Sequence, residues 1–302
     1  MAVPLASVLI PTRNAGKEFE KVLSNVFAQK KAAFEVLIAD TESVDETLEI
    51  ASRFKVKVKK IRQAEFGHGR TRNMLASMAK GDFLVFLTQD SIPRQNLWLY
   101  SLIKNFEDKK VAGVYGRQVT KENAFPMEEF FYMKKYGGKR VLWDRNSWRE
   151  KDVVFSSANC AIRKKVFQER QFNPELIVSE DYEWAYNVMN RGYSIVYEPK
   201  AETLHSHNYG LAENFRKHFD IGYSYSQIYS RYDSLGFAFA GVKFFFEEQA
   251  FLARSRKLLW MPYAAAYLLT KFLGVSLGRI AKFFPKRFCM IFSGQKYYWS
   301  RK

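Results

Sequence analysis

Four short polar segments each close an apolar run: Pro11-Thr12-Arg13-Asn14, Asp40-Thr41-Glu42-Ser43-Val44-Asp45, Phe66-Gly67-His68-Gly69-Arg70-Thr71-Arg72-Asn73 and Thr88-Gln89-Asp90-Ser91. In an open α/β sheet, ligands bind outside the carboxyl ends of the strands, so chemistry is sought in such segments. Asp40 ends the run FEVLIAD, where a carboxylate can accept hydrogen bonds from the base and ribose of a nucleotide. Ser43 and Asp45 belong either to the same contact or to the cap of the next helix, since short polar side chains satisfy the first helical amides. Asp90 ends FLVFLTQD, a run hydrophobic enough to demand burial. A carboxylate there can hold a divalent cation on a pyrophosphate, because Mg2+ and Mn2+ take oxygen ligands. The plain alternative is helix capping before Pro93.

Two later groups complete the inventory. Ser179-Glu180-Asp181 opens a helical pattern. Adjacent carboxylates at a helix start either complement the helix dipole or contain a general base that takes a proton from an attacking hydroxyl. His205-Ser206-His207 lies beyond an apolar run, and in an extended chain the two imidazoles face one side. One of them can complete a metal site with Asp90, while a structural role is the default for the other.

The elements that must carry these groups follow from periodicity. Strands are expected over Ala6–Pro11, Phe34–Asp40, Val56–Ile61, Asp82–Leu87 and Val111–Tyr115, with helices over Lys17–Gln29, Asp45–Phe54, Arg70–Ala79 and Gln95–Phe106 between them. That alternation is the pattern of βαβ units, hence a mostly parallel sheet with helices on both faces. Regularity fades over Arg117–Asp152, which reads either as a substrate-facing excursion or as an idiosyncratic loop. It returns with a strand at Asn159–Arg163, a helix at Tyr182–Asn190, a strand at Ser194–Glu198 and a long helix at Leu211–Arg231.

The 302 residues contain 48 Lys and Arg against 31 Asp and Glu, a net charge of +17, with 47% hydrophobic residues, which excludes a disordered chain. Residues 241–302 hold 12 Lys and Arg against two Glu, interleaved with Phe, Tyr and Trp. Such a helical, basic and aromatic segment suits an anionic membrane surface, where each basic residue adds about 1 kcal/mol. Its alternative is an aromatic core with a solvated basic face. The division expected is therefore a catalytic domain over 1–235 and a membrane-surface or acceptor-associating segment over 236–302.

The longest apolar run, Leu258–Thr270, has 13 residues and contains Pro262, shorter than the roughly 18–20 needed to cross a bilayer, so it is expected to lie on a surface or in a core. The N-terminal run lacks a basic leader and reads as a first strand, which points to the cytoplasm. Two distant cysteines, Cys160 and Cys289, suggest neither a disulfide framework nor a zinc site.

Taken in order, Pro11-Thr12-Arg13-Asn14, Asp40 with Ser43 and Asp45, Asp90, the NCAIR strand, Glu180-Asp181 and His205 resemble the family 2 glycosyltransferases of GT-A fold over roughly residues 5–230. Phe66-Gly67-His68-Gly69 with Arg72-Asn73, and Thr88-Gln89-Asp90 in place of the family's Asp-x-Asp, are similar to its bacterial rhamnosyltransferase branch. The resemblance implies inverting transfer from a nucleotide-sugar donor. Asp181 would be the catalytic base supported by Glu180, and Asp90 with His205 would hold Mg2+ or Mn2+. Pro11, Thr12, Asn14, Asp40 and Ser43 would cradle the nucleoside, with His68, Arg72, Asn73 and Gln89 on the rest of the donor.

The branch further implies dTDP-L-rhamnose as donor and a lipid-linked saccharide of bacterial surface polysaccharide as acceptor, with peripheral contact to the inner face of the plasma membrane. A UDP-hexose or UDP-N-acetylhexosamine donor is the nearest alternative, and a non-catalytic nucleotide-sugar sensor is a more distant one. No nucleic-acid partner is expected: the charge alone would permit one, but the acids at 40, 90 and 181 would face a polyanion. The residues specify no oligomeric state. All of these roles require the three acids to meet around one crevice.

Overall fold

A computed structural model of the chain describes residues 6–147, 155–229 and 234–301. The end of the irregular 117–152 segment and the last two positions expected in the Leu211–Arg231 helix lie outside the described residues. The chain forms two compact units: one runs to Lys121 and resumes over Lys135–Pro174 and Glu180–His205, and the other takes Glu122–Lys134, Glu175–Ser179 and the chain from Ser206 onward.

In the first unit the order begins β1 (Ala6–Thr12), α1 (Glu18–Phe27), β2 (Phe34–Thr41), α2 (Thr47–Ser52), β3 (Val56–Ile61), α3 (His68–Met78), β4 (Phe83–Leu87), β5 (Ile92–Pro93), α4 (Trp98–Ile103) and β6 (Val111–Val119). Apart from β5, which the pattern did not predict, these elements arise where it places them. α1 buries Phe19, Val22, Leu23 and Val26 at helical spacing, and β4 is buried at every residue. Edge strand β3 instead exposes Lys57, Lys59 and Lys60, charges that discourage pairing with another chain.

Beyond β6 come α5 (Pro126–Lys135), β7 (Val141–Trp143), β8 (Asn159–Arg163), α6 (Lys164–Glu169), α7 (Glu180–Asn190) and β9 (Ser194–Leu204). The strand order is β3-β2-β1-β4-β8-β6-β9-β5, with β7 on β9. The first four strands are parallel, β8 runs antiparallel between β4 and β6, and β6 and β9 are parallel to each other. β1 stays paired to β2 through Thr12 but to β4 only through Leu9, so Pro11, which has no N–H, lies past the end of the β4 ladder.

Three segments are longer or more regular than expected. β6 continues to Val119 and β9 to Leu204, because the two pair across a register shift that absorbs the extra residues after Glu198. The expected irregular segment contains α5 and β7. β7 pairs with β9, while α5 buries Met127 and Phe130 in the second unit.

The second unit is built on α8 (Leu211–Ile228), α9 (Ser234–Arg254), α10 (Met261–Arg279), α11 (Lys286–Phe292) and α12 (Lys296–Arg301). It starts at Ser206 rather than at 236 because α8 packs on α10 at backbone contact. A methyl group at Gly222 would collide with the Val275 carbonyl, and one at Gly278 with the Phe219 carbonyl. Only glycine admits so close an approach.

Candidate active site

Because β1, β2, β3 and β4 are parallel, the segments after them leave one edge of the sheet. Hydrogen bonds tie them together there. Asp40 is buried and accepts from the Thr12 hydroxyl at 3.0 Å and from the Ser43 hydroxyl and N–H at 2.6 and 3.1 Å. Ser43 Oγ accepts the Asn14 N–H at 2.8 Å, and Asn14 Oδ1 accepts the Val44 N–H at 2.9 Å. Asn14 has φ of 45°, a left-handed conformation that its short polar side chain tolerates. Asp45 accepts the Gly16 and Thr47 N–H groups and the Thr47 hydroxyl, so it serves the loop and helix start.

Gln89 occupies the position where the first loop meets the fourth. Its Oε1 accepts the Arg13 N–H at 2.7 Å and its Nε2 donates to the Arg13 carbonyl at 3.1 Å. This amide clamps the backbone of the Pro11–Asn14 loop in a strand-like exchange that a carboxylate, lacking a donor, could not make.

Asp181 reaches the same edge by another route. Asn159, the first residue of antiparallel β8, pairs with Leu87, the last of β4. Ser157, two residues earlier, therefore lies beyond the carboxyl end of β4, and its N–H donates to Asp181 Oδ2 at 2.7 Å. Asp90 follows β4 by three residues, so the acids at 40, 90 and 181 all stand at one edge. Asp181 remains partly exposed, and burial together with the charge of Glu180 pushes its carboxyl above the ordinary range, against the Ser157 N–H and Arg72.

The neighbours of Asp181 are held by one another and by the backbone. Arg72 lies one turn into α3 on its inward side, and its Nη1 donates to Glu180 Oε1 at 2.9 Å, with both side chains buried. His68 lies half-buried beside it, and desolvation, reinforced by the Arg72 charge, pushes its pKa down to about 3. Asn73 uses its amide on the N–H and carbonyl of Phe172. Arg72 thus braces Glu180, with His68 Nδ1 at 3.4 Å from its Nη1, while Asn73 anchors the Phe172 backbone. Nothing in the residue order signals the Arg72–Glu180 pair, which spans 108 positions.

His205 reaches Asp90 because β5, which follows Asp90, pairs with the end of β9. Its Nε2 lies 3.5 Å from Asp90 Oδ1, and its Nδ1 lies 2.7 Å from Gln118 Oε1. With the Gln118 oxygen accepting from Nδ1, the neutral imidazole turns Nε2 toward Asp90 as a ligand atom. Two facing acceptors suit a cation between them. His207, two residues along the same segment, adds a third ligand atom, all three lying within 4.8 Å of one another. His207, whose default was a structural role, is thereby placed where it could also serve as a ligand. Gln118 escaped the sequence reading because it lies in the stretch without periodicity. The donor set fits a divalent metal, with Asp90, His205 and His207 as its holders.

An open α/β sheet whose polar loops, Asp90–His205 group and braced Asp181 gather at one edge has the arrangement of a glycosyltransferase of GT-A fold. The chain belongs to the family described as glycosyl transferase family 2, whose sequence profile matches residues 7–171. It is 33% identical to the O-antigen chain rhamnosyltransferase WbaN of Salmonella anatum, over 99% of this chain and 96% of that protein. It is 32% identical to the O-antigen chain rhamnosyltransferase RfbN of Salmonella typhimurium, over 97% and 96%.

Among solved structures, the mannosyltransferase PcManGT of Pyrobaculum calidifontis, in complex with GDP-Man and Mn2+, superposes with a TM-score of 0.63 at 15% identity, over 94% of this chain and 88% of that one. TarS of S. aureus in complex with UDP-GlcNAc gives 0.55 at 17% identity, over 92% and 91%. These two likenesses concern the fold.

Proposed function

We propose that the protein transfers L-rhamnose from dTDP-L-rhamnose, with inversion, to a hydroxyl of a lipid-linked saccharide during assembly of a bacterial surface polysaccharide such as O-antigen or capsule. Rhamnose transfer rests on the identity of about one third, over nearly the whole chain, to two O-antigen rhamnosyltransferases. The thymidine nucleotide and the lipid-linked acceptor are the finer parts of the reading. A UDP-hexose donor is the competing one, since the fold is shared with proteins that bind other nucleotide sugars.

In this reading Asp40, held by Thr12 and Ser43, and Asn14, held against Val44, shape the nucleoside cradle, and Gln89 keeps the first loop in place for it. Asp181 accepts the proton of the acceptor hydroxyl, whose oxygen bonds to the anomeric carbon while the bond from that carbon to the diphosphate oxygen breaks. The raised basicity of Asp181 suits this step, because a base is more effective as its pKa approaches the working pH. Glu180, paired to Arg72, fixes the start of α7 that carries it. A Mg2+ or Mn2+ ion held by Asp90, His205 and His207 would offset charge on the departing nucleoside diphosphate. The enzyme would work at the cytoplasmic face of the plasma membrane, and the basic aromatic C-terminal region supports a peripheral contact.

The carrying observation for the mechanism is Asp181, partly exposed, raised in pKa and at the edge shared by Asp40 and Asp90. The expected result for Asp181→Asn is a loss of transfer of at least about 100-fold with donor binding retained. Product mass after incubation with dTDP-rhamnose, UDP-glucose and UDP-N-acetylglucosamine identifies the donor. Wild-type turnover in Asp181→Asn would overturn the base assignment.

A further inference from the structure

Among the described residues, Leu258–Arg279 is long and apolar enough to cross a membrane by length and composition, 22 residues that extend well past the 13-residue apolar run seen in the sequence. Its packing argues for a different use. One stripe of α10 is sealed: Ala264, Tyr267, Gly274, Val275 and Gly278 are buried, with α8 against the glycines. Lys271, midway along, lies 3.8 Å from Glu128 on α5. The helix packed against α10 carries Glu213, Arg216, Lys217 and Asp220, so it cannot accompany α10 through hydrocarbon.

The opposite stripe is apolar and exposed. Pro262, Leu269, Leu273 and Ile280 recur at intervals that keep them on one side of the helix, with Phe272 beside them. At the head of the helix, the tight turn Leu258–Trp260 holds Leu259 96% exposed and Leu258 58% exposed, while Trp260 folds back onto Phe125 and Tyr263. Past its end, Phe283 is 75% exposed. Exposed cations flank both ends: Arg254 and Arg256 before the turn, and Lys282, Lys286 and Arg287 after the helix. From residue 249 to the C-terminus there is no acidic residue.

A second copy of the chain would bring like charges together around a twofold axis, which opposes a self-complementary interface. Apolar side chains within a cationic rim instead match an anionic lipid surface, where the side chains enter the headgroup boundary and the cations meet lipid phosphates.

We infer that α10 lies in the plane of an anionic bilayer without crossing it, inserting Leu258, Leu259 and its Leu269–Leu273–Ile280 stripe. This deepens the membrane contact proposed above by naming the surface and its mode. The substituted positions are solvent-exposed, so Leu258→Ser/Leu259→Ser and Leu269→Ser/Leu273→Ser should fold and melt as the wild type does.

The test is sedimentation of the full-length protein with phosphatidylethanolamine vesicles containing about one-third phosphatidylglycerol, and with pure phosphatidylcholine vesicles as the neutral control. The wild type should bind the anionic vesicles, lose most of that binding in high salt, and be released by alkaline carbonate. Each double variant should partition at least about tenfold more weakly, since two large apolar side chains no longer enter the bilayer. Unchanged binding of both variants overturns the inference, as does resistance of the wild type to carbonate, the mark of a spanning helix. Dimerisation in solution that both variants abolish, without vesicle binding, would assign the surface to a second copy instead. Donor turnover with a water-soluble acceptor is measured in parallel: the variants should retain it, and its absence in the wild type would count against the transferase reading while leaving the vesicle result standing.

Discussion

Replacing Arg72 by Met removes the cation from a pair in which Arg72 is 7% and Glu180 4% exposed at the side chain, 2.9 Å apart. Methionine keeps the length of the stem but cannot donate, so Glu180 is left with a buried charge and no cationic partner. Breaking a buried pair in this one-sided way costs about 3–5 kcal/mol. For a chain of this size, 1 kcal/mol moves the melting temperature by about 2–4 °C, so Arg72→Met should melt roughly 6–20 °C lower.

Adding Glu180→Gln removes the orphaned charge, and the double variant should recover part of the loss, with a coupling energy of at least about 1 kcal/mol in the cycle. A second readout separates the site from simple stability. Arg72 lowers the pKa of Asp181, so its removal raises that pKa further. If Asp181 must be ionised to accept the acceptor's proton, the acid limb of the pH–rate profile moves to higher pH. Calorimetry of the single and double variants and the pH profile of Arg72→Met decide the matter. A melting temperature within about 2 °C of wild type, with an unmoved limb, would refute the argument.

Gln118→Leu removes the acceptor that holds the His205 Nδ1 proton, and Mn2+ affinity, read from the free-ion electron paramagnetic resonance signal without substrate, should fall by about 10–100-fold; unchanged affinity would remove Gln118 from the metal site. Asp220 supplies a pH-dependent prediction for the second unit. Burial pushes its pKa up to about 7, although the Ser293 hydroxyl and the N–H groups of Gly294 and Gln295 oppose that shift. The folded state then holds a proton that the unfolded chain releases at lower pH, so stability from this group is present below about pH 4 and lost as pH rises to about 7. Asp220→Asn should therefore be more stable than wild type at pH 8, by a few kcal/mol at most, and the difference should vanish near pH 4. Equal melting at pH 8 would contradict the proposed proton.

Local pattern was enough for the parallel half of the sheet. β1, β2 and β4 are apolar runs closed by polar turns, and α1 has a stripe at helical spacing, so burial could be read one element at a time. The acids at 40, 90 and 181 were visible for the same reason, each standing next to such an element.

What the amino-acid order did not disclose depends on contacts between distant parts of the chain. The extension of β9 to Leu204 exists because β6 and β5 pair with it, and that pairing is what delivers His205 and Gln118 to Asp90. The apolar run read as ending at Thr270 continues as α10 because α8 meets Gly274 and Gly278 and Glu128 lies 3.8 Å from Lys271. Arg72 had the composition of a phosphate ligand, yet its place on α3 turned it toward Glu180. Side-chain type and periodicity act over one or two turns and so are written in the sequence. The partner of a charge is chosen by folding, because a buried ion cannot be left without a counter-charge, and the chain arranges one from wherever the sheet brings it near.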